Sequence, residues 1–424
     1  MKVLIVNTLT IGGAAVAALR LVSALKTIDH VEVRVLMHRG NPESDDDSFE
    51  VLAGNSLLNA HGINFVAEKL TFLLHERDKS VRFQFSLANF GTDISNHEFV
   101  KWADVIHLHW VNAGFLSLKN IHQLGKLKKP LVWTMHDMWL FTGGCHHARN
   151  CDNYLRKCGN CNFLKYPKPN DISRKLWNKK NALLTNSPIF PVACSRWLMH
   201  RCNESSLFSN RGMAIPNPID TNVFKPTGKV EAREILNLPK NRFLLLFSAM
   251  SLKNEYKGFS FLKDALGLLK NNNPETFNKI DLLVMGESSD NQLTDLGVPV
   301  HNLGLIRSDE TIISAYNASD FYVTPSLEEN LPNTIMEALA CGIPSIGFKV
   351  GGIPEMISDR SNGFLVDFKD TKGLQGAIRE AVEMTDSDYH RMSEKCREKA
   401  LSEYTYEIVA QRYLKSYADA LNKM

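Results

Sequence analysis

Phe321-Tyr-Val-Thr-Pro-Ser-Leu-Glu-Glu-Asn-Leu-Pro-Asn-Thr-Ile-Met-Glu-Ala-Leu-Ala-Cys-Gly-Ile-Pro-Ser-Ile-Gly-Phe348 reads as strand, loop, helix, strand. The flanking runs Phe321–Pro325 and Ser345–Phe348 are largely apolar without polar alternation, as in strands buried on both faces. Between them, Pro332 precedes a helical stretch, Thr334–Ala340. Such a unit joins parallel strands, and right-handed crossovers then build doubly wound sheets that bind ligands beyond the strand C-termini.

The same alternation extends along the whole chain. Val3–Val6, Val31–Met37, Val105–His109, Leu131–Thr134 and Phe190–Cys194 read as strands of a first sheet. Phe243–Ala249, Ile280–Met285, Val300–Leu303, Phe321–Pro325 and Ser345–Phe348 read as a second. Ala14–Leu25, Phe259–Leu269, Thr334–Ala340 and Gly373–Met384 carry helical patterns, and Tyr404–Leu421 is a long amphipathic helix. A chain of 424 residues exceeds one ordinary core, so two domains are expected. Two prolines in Ile215-Pro-Asn-Pro-Ile-Asp220 favour a linker there. The expectation is an α/β protein with domains at 1–215 and 216–404 and a last helix, 405–424, crossing back to the first.

With 44% hydrophobic and 22% charged residues, the composition is that of a globular protein. No apolar run approaches the roughly 18 residues of a membrane span. Met1-Lys-Val-Leu-Ile-Val-Asn7 leads straight into polar and glycine residues, so it is read as a buried strand and the protein is expected in the cytoplasm. The net charge of +3 conceals an asymmetry: residues 61–215 carry 21 Lys and Arg against 10 Asp and Glu, a net of +11. Such a surface suits nucleic acid, anionic lipid or a phosphate-bearing substrate equally well, and placement at the inner face of the membrane is the sharper expectation. A solvated basic face is the plainer one. Glu68–Arg82, with Leu70, Phe72, Leu73 and Leu74, mixes apolar and cationic residues and is read either as a covered helix or as an interfacial one. The acidic run Asp45-Asp46-Asp47 is read as a solvated loop.

Glu329 and Glu337 are the first candidates for chemistry. Thr334 and Glu337 have capping-box spacing, so Glu337 has a structural reading as a helix cap. The functional reading uses the same helix start: free N–H groups hold a diphosphate, and a carboxylate one turn in accepts ribose hydroxyls. Pro332 lacks an N–H, which leaves Asn330, Leu331, Asn333 and Thr334 as donors, and Glu329 then faces a sugar. Gly12-Gly13 opens the first helix and permits close approach of a phosphate or acceptor, although a tight turn alone also needs glycine. His107 and His109 share one face by strand alternation and are read as packing or acceptor-side residues. Cys145, Cys151, Cys158 and Cys161 place four of eight cysteines within seventeen residues of an insertion spanning 143–165. The closing Cys-x-x-Cys suits a structural zinc, with His146 and His147 as alternate ligands; reduced, partly buried thiols are the alternative.

The block from Pro325 to Pro344, with Gly351-Gly-Ile-Pro-Glu-Met-Ile357 and Asn362-Gly-Phe-Leu-Val366, resembles the family 4 glycosyltransferases. Their signature is two glutamates with seven residues between them, here Glu329 and Glu337. The resemblance spans nearly the whole chain and implies the GT-B fold, two Rossmann-like domains facing a central cleft. It implies retaining transfer of a hexosyl unit from a UDP- or GDP-linked sugar to a saccharide acceptor, with no catalytic metal required and no nucleic-acid partner. By the same resemblance His136 lies beside the donor sugar, Lys257 holds the diphosphate, and the stretch Gly304-Leu-Ile306 contacts the base through its backbone. The family's arginine a few residues before that lysine is missing, since this chain reads Ser248-Ala-Met-Ser-Leu252 there. The basic first domain favours a lipid-linked acceptor in polysaccharide or glycolipid assembly. A sugar-nucleotide epimerase and a non-catalytic, zinc-organised scaffold remain as alternatives.

Overall fold

The computed structural model describes residues 1–40, 47–53, 60–208, 212–288 and 293–422, without the side chains of 60 and 61. Asp45 and Asp46 of the acidic run lie outside the described residues. The chain divides into two compact units, Met1–Pro218 with Tyr406–Met424, and Ile219–Thr405.

Unit 1 is built on strands β1 (Lys2–Leu9), β2 (Glu32–Arg39), β3 (Phe49–Val51), β4 (Val105–Leu108), β5 (Leu131–Met135), β6 (Ile189–Ala193) and β7 (Met213–Ala214). They form one sheet in the order β3-β2-β1-β4-β5-β6-β7, every ladder parallel. Its α-helices are α1 (Gly13–Lys26), α2 (Ala60–Leu73), α3 (Glu98–Trp102), α4 (Leu118–Gly125), α5 (Ile172–Leu184), α6 (Arg196–Glu204) and the closing helix Tyr406–Asn422. Unit 2 holds β8 (Phe243–Ser251), β9 (Ile280–Glu287), β10 (Val300–Asn302), β11 (Phe321–Thr324), β12 (Ser345–Phe348) and β13 (Gly363–Val366). Their order is β10-β9-β8-β11-β12-β13, again all parallel. Its α-helices are α7 (Lys229–Ile235), α8 (Phe259–Asn272), α9 (Pro274–Phe277), α10 (Asp309–Ala318), α11 (Asn333–Ala340), α12 (Ile353–Met356), α13 (Thr371–Val382) and α14 (Asp386–Glu403). The closing helix of unit 1 is then α15.

The absence of polar alternation in β1 has a direct cause. Leu4 and Val6 join the core on one face, with Leu36, Ile106 and Trp133, while Val3 and Ile5 join the other, with Val35, Val105 and Val132. Both faces are covered, so the run Val3–Val6 is apolar at every position. Each such aliphatic side chain contributes roughly 1.5–3 kcal/mol by leaving water. The second face is closed by α1 and by α15, whose Val409, Ala410, Tyr413 and Tyr417 are buried against it. Strands β3 and β7 add two short edges, and β13 a third, that the apolar pattern did not show; the first two have only 3 and 2 residues. β13 opens on a glycine, which is depleted in strands.

Each sheet reverses its strand order once. In unit 1 the chain winds outward from β1 through β2 and β3, then returns to lay β4 on the other side of β1. In unit 2 it winds from β8 through β9 and β10, then returns to lay β11 beside β8. Loops leaving the two central strands of each sheet therefore part in opposite directions and open a crevice at the strand C-termini.

Candidate functional site

In unit 2 the crevice lies between the loops after β8 and β11, and these loops carry Lys257 and Glu329. The Lys257 ammonium donates to Glu329 Oε1 at 2.5 Å, so the pair spans the point of strand reversal. Two other contacts tie the loops: Leu327 N–H donates to the Tyr256 carbonyl at 2.8 Å, and Gly258 lies against Pro325. Gly258 has φ +72°, and a Cβ there would stand 1.8 Å from the Pro325 carbonyl oxygen. Only glycine lets the lysine loop lie this close to the glutamate loop. Gly351, at φ +57°, does the same behind Glu329, where a Cβ would meet the Glu329 carbonyl oxygen at 1.6 Å. The neighbouring Gly352 N–H donates to the Asn330 carbonyl.

Helix α11 starts at Asn333, with Pro332 as N-cap and no side-chain cap. The capping-box reading of Thr334 and Glu337 is therefore not what forms. The Thr334 hydroxyl accepts from Tyr322 OH at 2.9 Å, and Glu337 Oε2 accepts from Tyr316 OH at 3.0 Å. The two tyrosines meet edge to face, 5.9 Å between ring centres. Burial raises both phenol pKa values, with the Glu337 carboxylate adding to the rise at Tyr316, so both remain hydrogen-bond donors. Sequence reasoning missed these tyrosines. Tyr322 sits inside an apolar strand and Tyr316 in α10, where each reads simply as core. Asn330 and Leu331 are buried, and Asn333 and Thr334 begin the helix, whose first N–H groups point away from the helix body.

Gly304, at φ +65°, follows β10, and its carbonyl accepts from Gly286 N–H at 2.7 Å at the end of β9. A Cβ on Gly304 would meet nothing, whereas one on Gly286 would strike the Ala249 carbonyl oxygen at 1.7 Å. Ile306 is half-buried in the loop leading to α10.

In unit 1 the crevice lies between the loops after β1 and β4. Gly12 caps α1 at φ +97°, with open space where its side chain and that of Gly13 would be. The end of β1 is joined to the loop after β4 by Thr8 N–H to the Trp110 carbonyl (2.8 Å), Trp110 N–H to Asn7 Oδ1 (3.0 Å) and Thr8 Oγ1 to the Asn112 carbonyl (2.9 Å). Next to them stands a cluster of imidazoles. His107 and His109 do share a face, with ring centres 4.4 Å apart, and His109 Nδ1 lies 2.9 Å from His136 Nε2. His136 Nδ1 faces the Cys194 thiol at 3.4 Å. His107 is held by Tyr417 OH at 2.8 Å and Thr134 Oγ1 at 2.7 Å, and Thr134 Oγ1 also meets Tyr413 OH at 2.9 Å. Burial lowers all three histidine pKa values, His107 to about 3 and His136 to about 4, so the cluster is neutral.

Asp137 takes a different role from its neighbour. Its Oδ2 accepts from His146 Nδ1 at 2.6 Å and from Trp110 Nε1 at 3.1 Å. Burial pushes its pKa up, but His146 and the Trp139 N–H more than reverse this and hold it low. His146 Nε2 also meets Ser86 Oγ at 2.9 Å. Both nitrogens of His146 are thus engaged, by Asp137 and by Ser86.

Cys145, Cys151, Cys158 and Cys161 are free thiols around one cavity of about 470 Å³. Gly143 N–H points at Cys158 Sγ from 3.1 Å, and burial raises the Cys158 and Cys161 thiols to about 11 and about 12. Among the described residues no three His, Cys, Asp or Glu side chains are arranged to hold a metal ion, so the geometry adds nothing to the spacing argument for zinc.

Two family models match the chain. One described as "Glycosyltransferase Family 4" matches residues 11–223, and one described as "Glycosyl transferases group 1" matches 229–399. A D-inositol 3-phosphate glycosyltransferase of Arthrobacter sp. (strain FB24) is 26% identical over 275 residues, covering 62% of this chain and 58% of the relative. The match thus falls short of two thirds of that relative's length. Among solved structures, sucrose-phosphate synthase from Thermosynechococcus elongatus superposes with a TM-score of 0.71 at 17% identity, covering all of both chains. The Anabaena protein Alr3699/HepE, solved with UDP-glucose, gives 0.64 at 18% identity, again over all of both chains. These likenesses establish the two-domain fold.

Proposed function

The chain belongs to glycosyltransferase family 4, and on that premise we propose that it transfers a hexosyl unit from a UDP- or GDP-linked sugar to a saccharide acceptor with retention of anomeric configuration. The observation that carries the proposal is the Lys257–Glu329 pair across the unit 2 crevice, with Glu337 one turn into α11, the helix that follows the Glu329 loop. A nucleoside diphosphate needs a cation and aligned N–H groups, which Lys257 and the first turn of α11 supply. A ribose needs a carboxylate acceptor, the role given to Glu337, kept in place by Tyr316. When the diphosphate draws Lys257 away, Glu329 is released to accept hydrogen bonds from the sugar hydroxyls.

As the glycosidic bond breaks, negative charge gathers on the departing diphosphate. Lys257 and the oriented N–H groups stabilise that charge because they are already positioned for it. Gly304 and Ile306 take the base through backbone contacts. In unit 1, Gly12 and Gly13 leave room for phosphate or acceptor, and His136 offers a neutral imidazole to a sugar hydroxyl that displaces His109 from its Nε2. A saccharide carried on a lipid diphosphate is the acceptor class proposed here, and its assembly into polysaccharide or glycolipid is the proposed setting. The four cysteines remain a proposed zinc set that would stiffen residues 143–165, apart from the transfer chemistry.

A donor screen that reads nucleoside diphosphate release, with and without a lipid diphosphate acceptor, tests the proposal. UDP- or GDP-hexose should be consumed, with acceptor-dependent release and an α-linked product from an α-linked donor. Release of an epimerised nucleotide sugar, or no thermal shift with any sugar nucleotide, would overturn it.

A further inference from the structure

Helix α2 is fixed in place with its apolar side outward. Its Glu68 carboxylate is buried and accepts four backbone N–H groups, from Leu87, Ala88, Asn89 and Phe90, at 2.6–3.3 Å. On the same inner face Phe72 stacks on Phe85, with ring centres 4.9 Å apart. Residues two positions away on a helix point oppositely, so the outer face carries Ile63, Val66, Leu70 and Leu73, spaced by three and four. All four are exposed, Leu70 at 55%, and Leu74 just beyond the helix reaches 79%. A surface helix ordinarily turns that stripe to the core.

The stripe continues onto a second segment that the sequence does not place beside it. Glu76 and Leu164 form an antiparallel bridge, Lys165 N–H donates to the His75 carbonyl, and Arg77 N–H donates to the Phe163 carbonyl. These bonds bring the exposed Tyr166 and Lys165 next to the end of α2, while Phe83, 70% exposed, lies under Lys69. Exposed apolar side chains are thus rimmed by Lys69 and Lys165, on the part of the chain whose net charge is +11. The combination is that of a helix lying in a membrane interface: aliphatic side chains reach the acyl boundary, an aromatic ring sits at headgroup level, and lysines extend to anionic headgroups.

We propose that the outer face of α2, with Phe83 and Tyr166, is the surface by which unit 1 docks onto an anionic lipid bilayer. The inference rests on the reading that the acceptor is lipid-linked, and it names the surface that would bring unit 1 to such an acceptor. Charge decides the occupant: a second copy of this chain would present the same lysines to one another, whereas an anionic headgroup layer neutralises them.

Co-sedimentation of the whole chain with vesicles, in the absence of donor and acceptor, tests the proposal. Phosphatidylglycerol–phosphatidylcholine vesicles should bind the protein at least tenfold more tightly than phosphatidylcholine vesicles, and added salt should weaken binding. The doubly substituted Leu70→Ser, Leu74→Ser chain should lose binding about tenfold or more while keeping its melting temperature and nucleoside diphosphate release. Lys69→Ser and Lys165→Ser should each cost about fivefold. Failure to bind anionic vesicles, or equal binding by the doubly substituted chain, overturns the proposal. So does a dimer in sedimentation equilibrium that the double substitution dissolves, because it makes a second copy the occupant. Donor turnover is measured apart from vesicle binding, so failure of docking and failure of the transferase reading are told apart.

Discussion

The two crevices share one topology and differ in charge. In unit 2 the loops at the strand reversal present an ammonium and a carboxylate that neutralise each other, Lys257 and Glu329. In unit 1 the corresponding loops stand beside three imidazoles that burial keeps uncharged, His107, His109 and His136. A parallel sheet presents a crevice wherever its order reverses, and the side chains at the rim then select the ligand. A crevice with a movable ion pair suits a diphosphate, which exchanges one anionic partner of the lysine for another. A neutral, hydrogen-bonded cluster suits hydroxyl groups, and it resists gaining a proton.

Removing the cation should separate the crevices most sharply. Lys257→Ala is expected to lower kcat about 10²–10³-fold, with a melting temperature near that of the wild type; near-normal turnover would end the assignment. Acid should act on the other crevice. The folded imidazoles titrate below the ordinary value near 6.5, so between that pH and about 4 for His136 the unfolded chain binds more protons than the folded one. Stability is complete above pH 6.5 and falls as the pH drops through this window. Thermal melts from pH 7.5 to 4 should show the loss, with a shallower slope for His136→Gln; parallel slopes would remove His136 from the cluster's titration. A milder effect is expected from Glu337→Gln, which should raise the donor KM about tenfold by weakening a hydrogen bond to a charged acceptor and leave kcat within a few-fold. An unchanged KM would return Glu337 to a structural role with Tyr316. The smallest change is expected from Tyr417→Phe, which leaves His107 Nδ1 without its partner and should cost about 1 kcal/mol, seen as a melting shift of a few degrees. No shift would show that the Tyr417–His107 bond adds nothing to what packing and the Tyr413–Thr134 bond supply.

Much of unit 2's site was legible because it is local in sequence. Glu329, the α11 start and Glu337 fall within nine residues, whereas the close backbone approaches at Gly258 and Gly351 emerge only from the structure. The capping-box spacing misled, because Pro332 takes the N-cap position and Tyr316 claims Glu337. Unit 1 was legible in fragments: the shared face of His107 and His109 follows from strand period, but the approach of Tyr413 and Tyr417 from more than 270 residues away does not. The cysteine spacing marked an insertion, yet His146 proved to serve Asp137 and Ser86.

By itself the sequence determined the parallel, doubly wound architecture and the glutamate pair, since burial on both faces and turn chemistry act over a few residues. Only the tertiary structure decided three things: that Lys257 meets Glu329, that α15 braces the histidines, and that α2 keeps its apolar stripe outward. Each of these joins residues far apart in the chain. Periodicity states which side chains share a face, but what that face meets is decided by the packing of the whole unit.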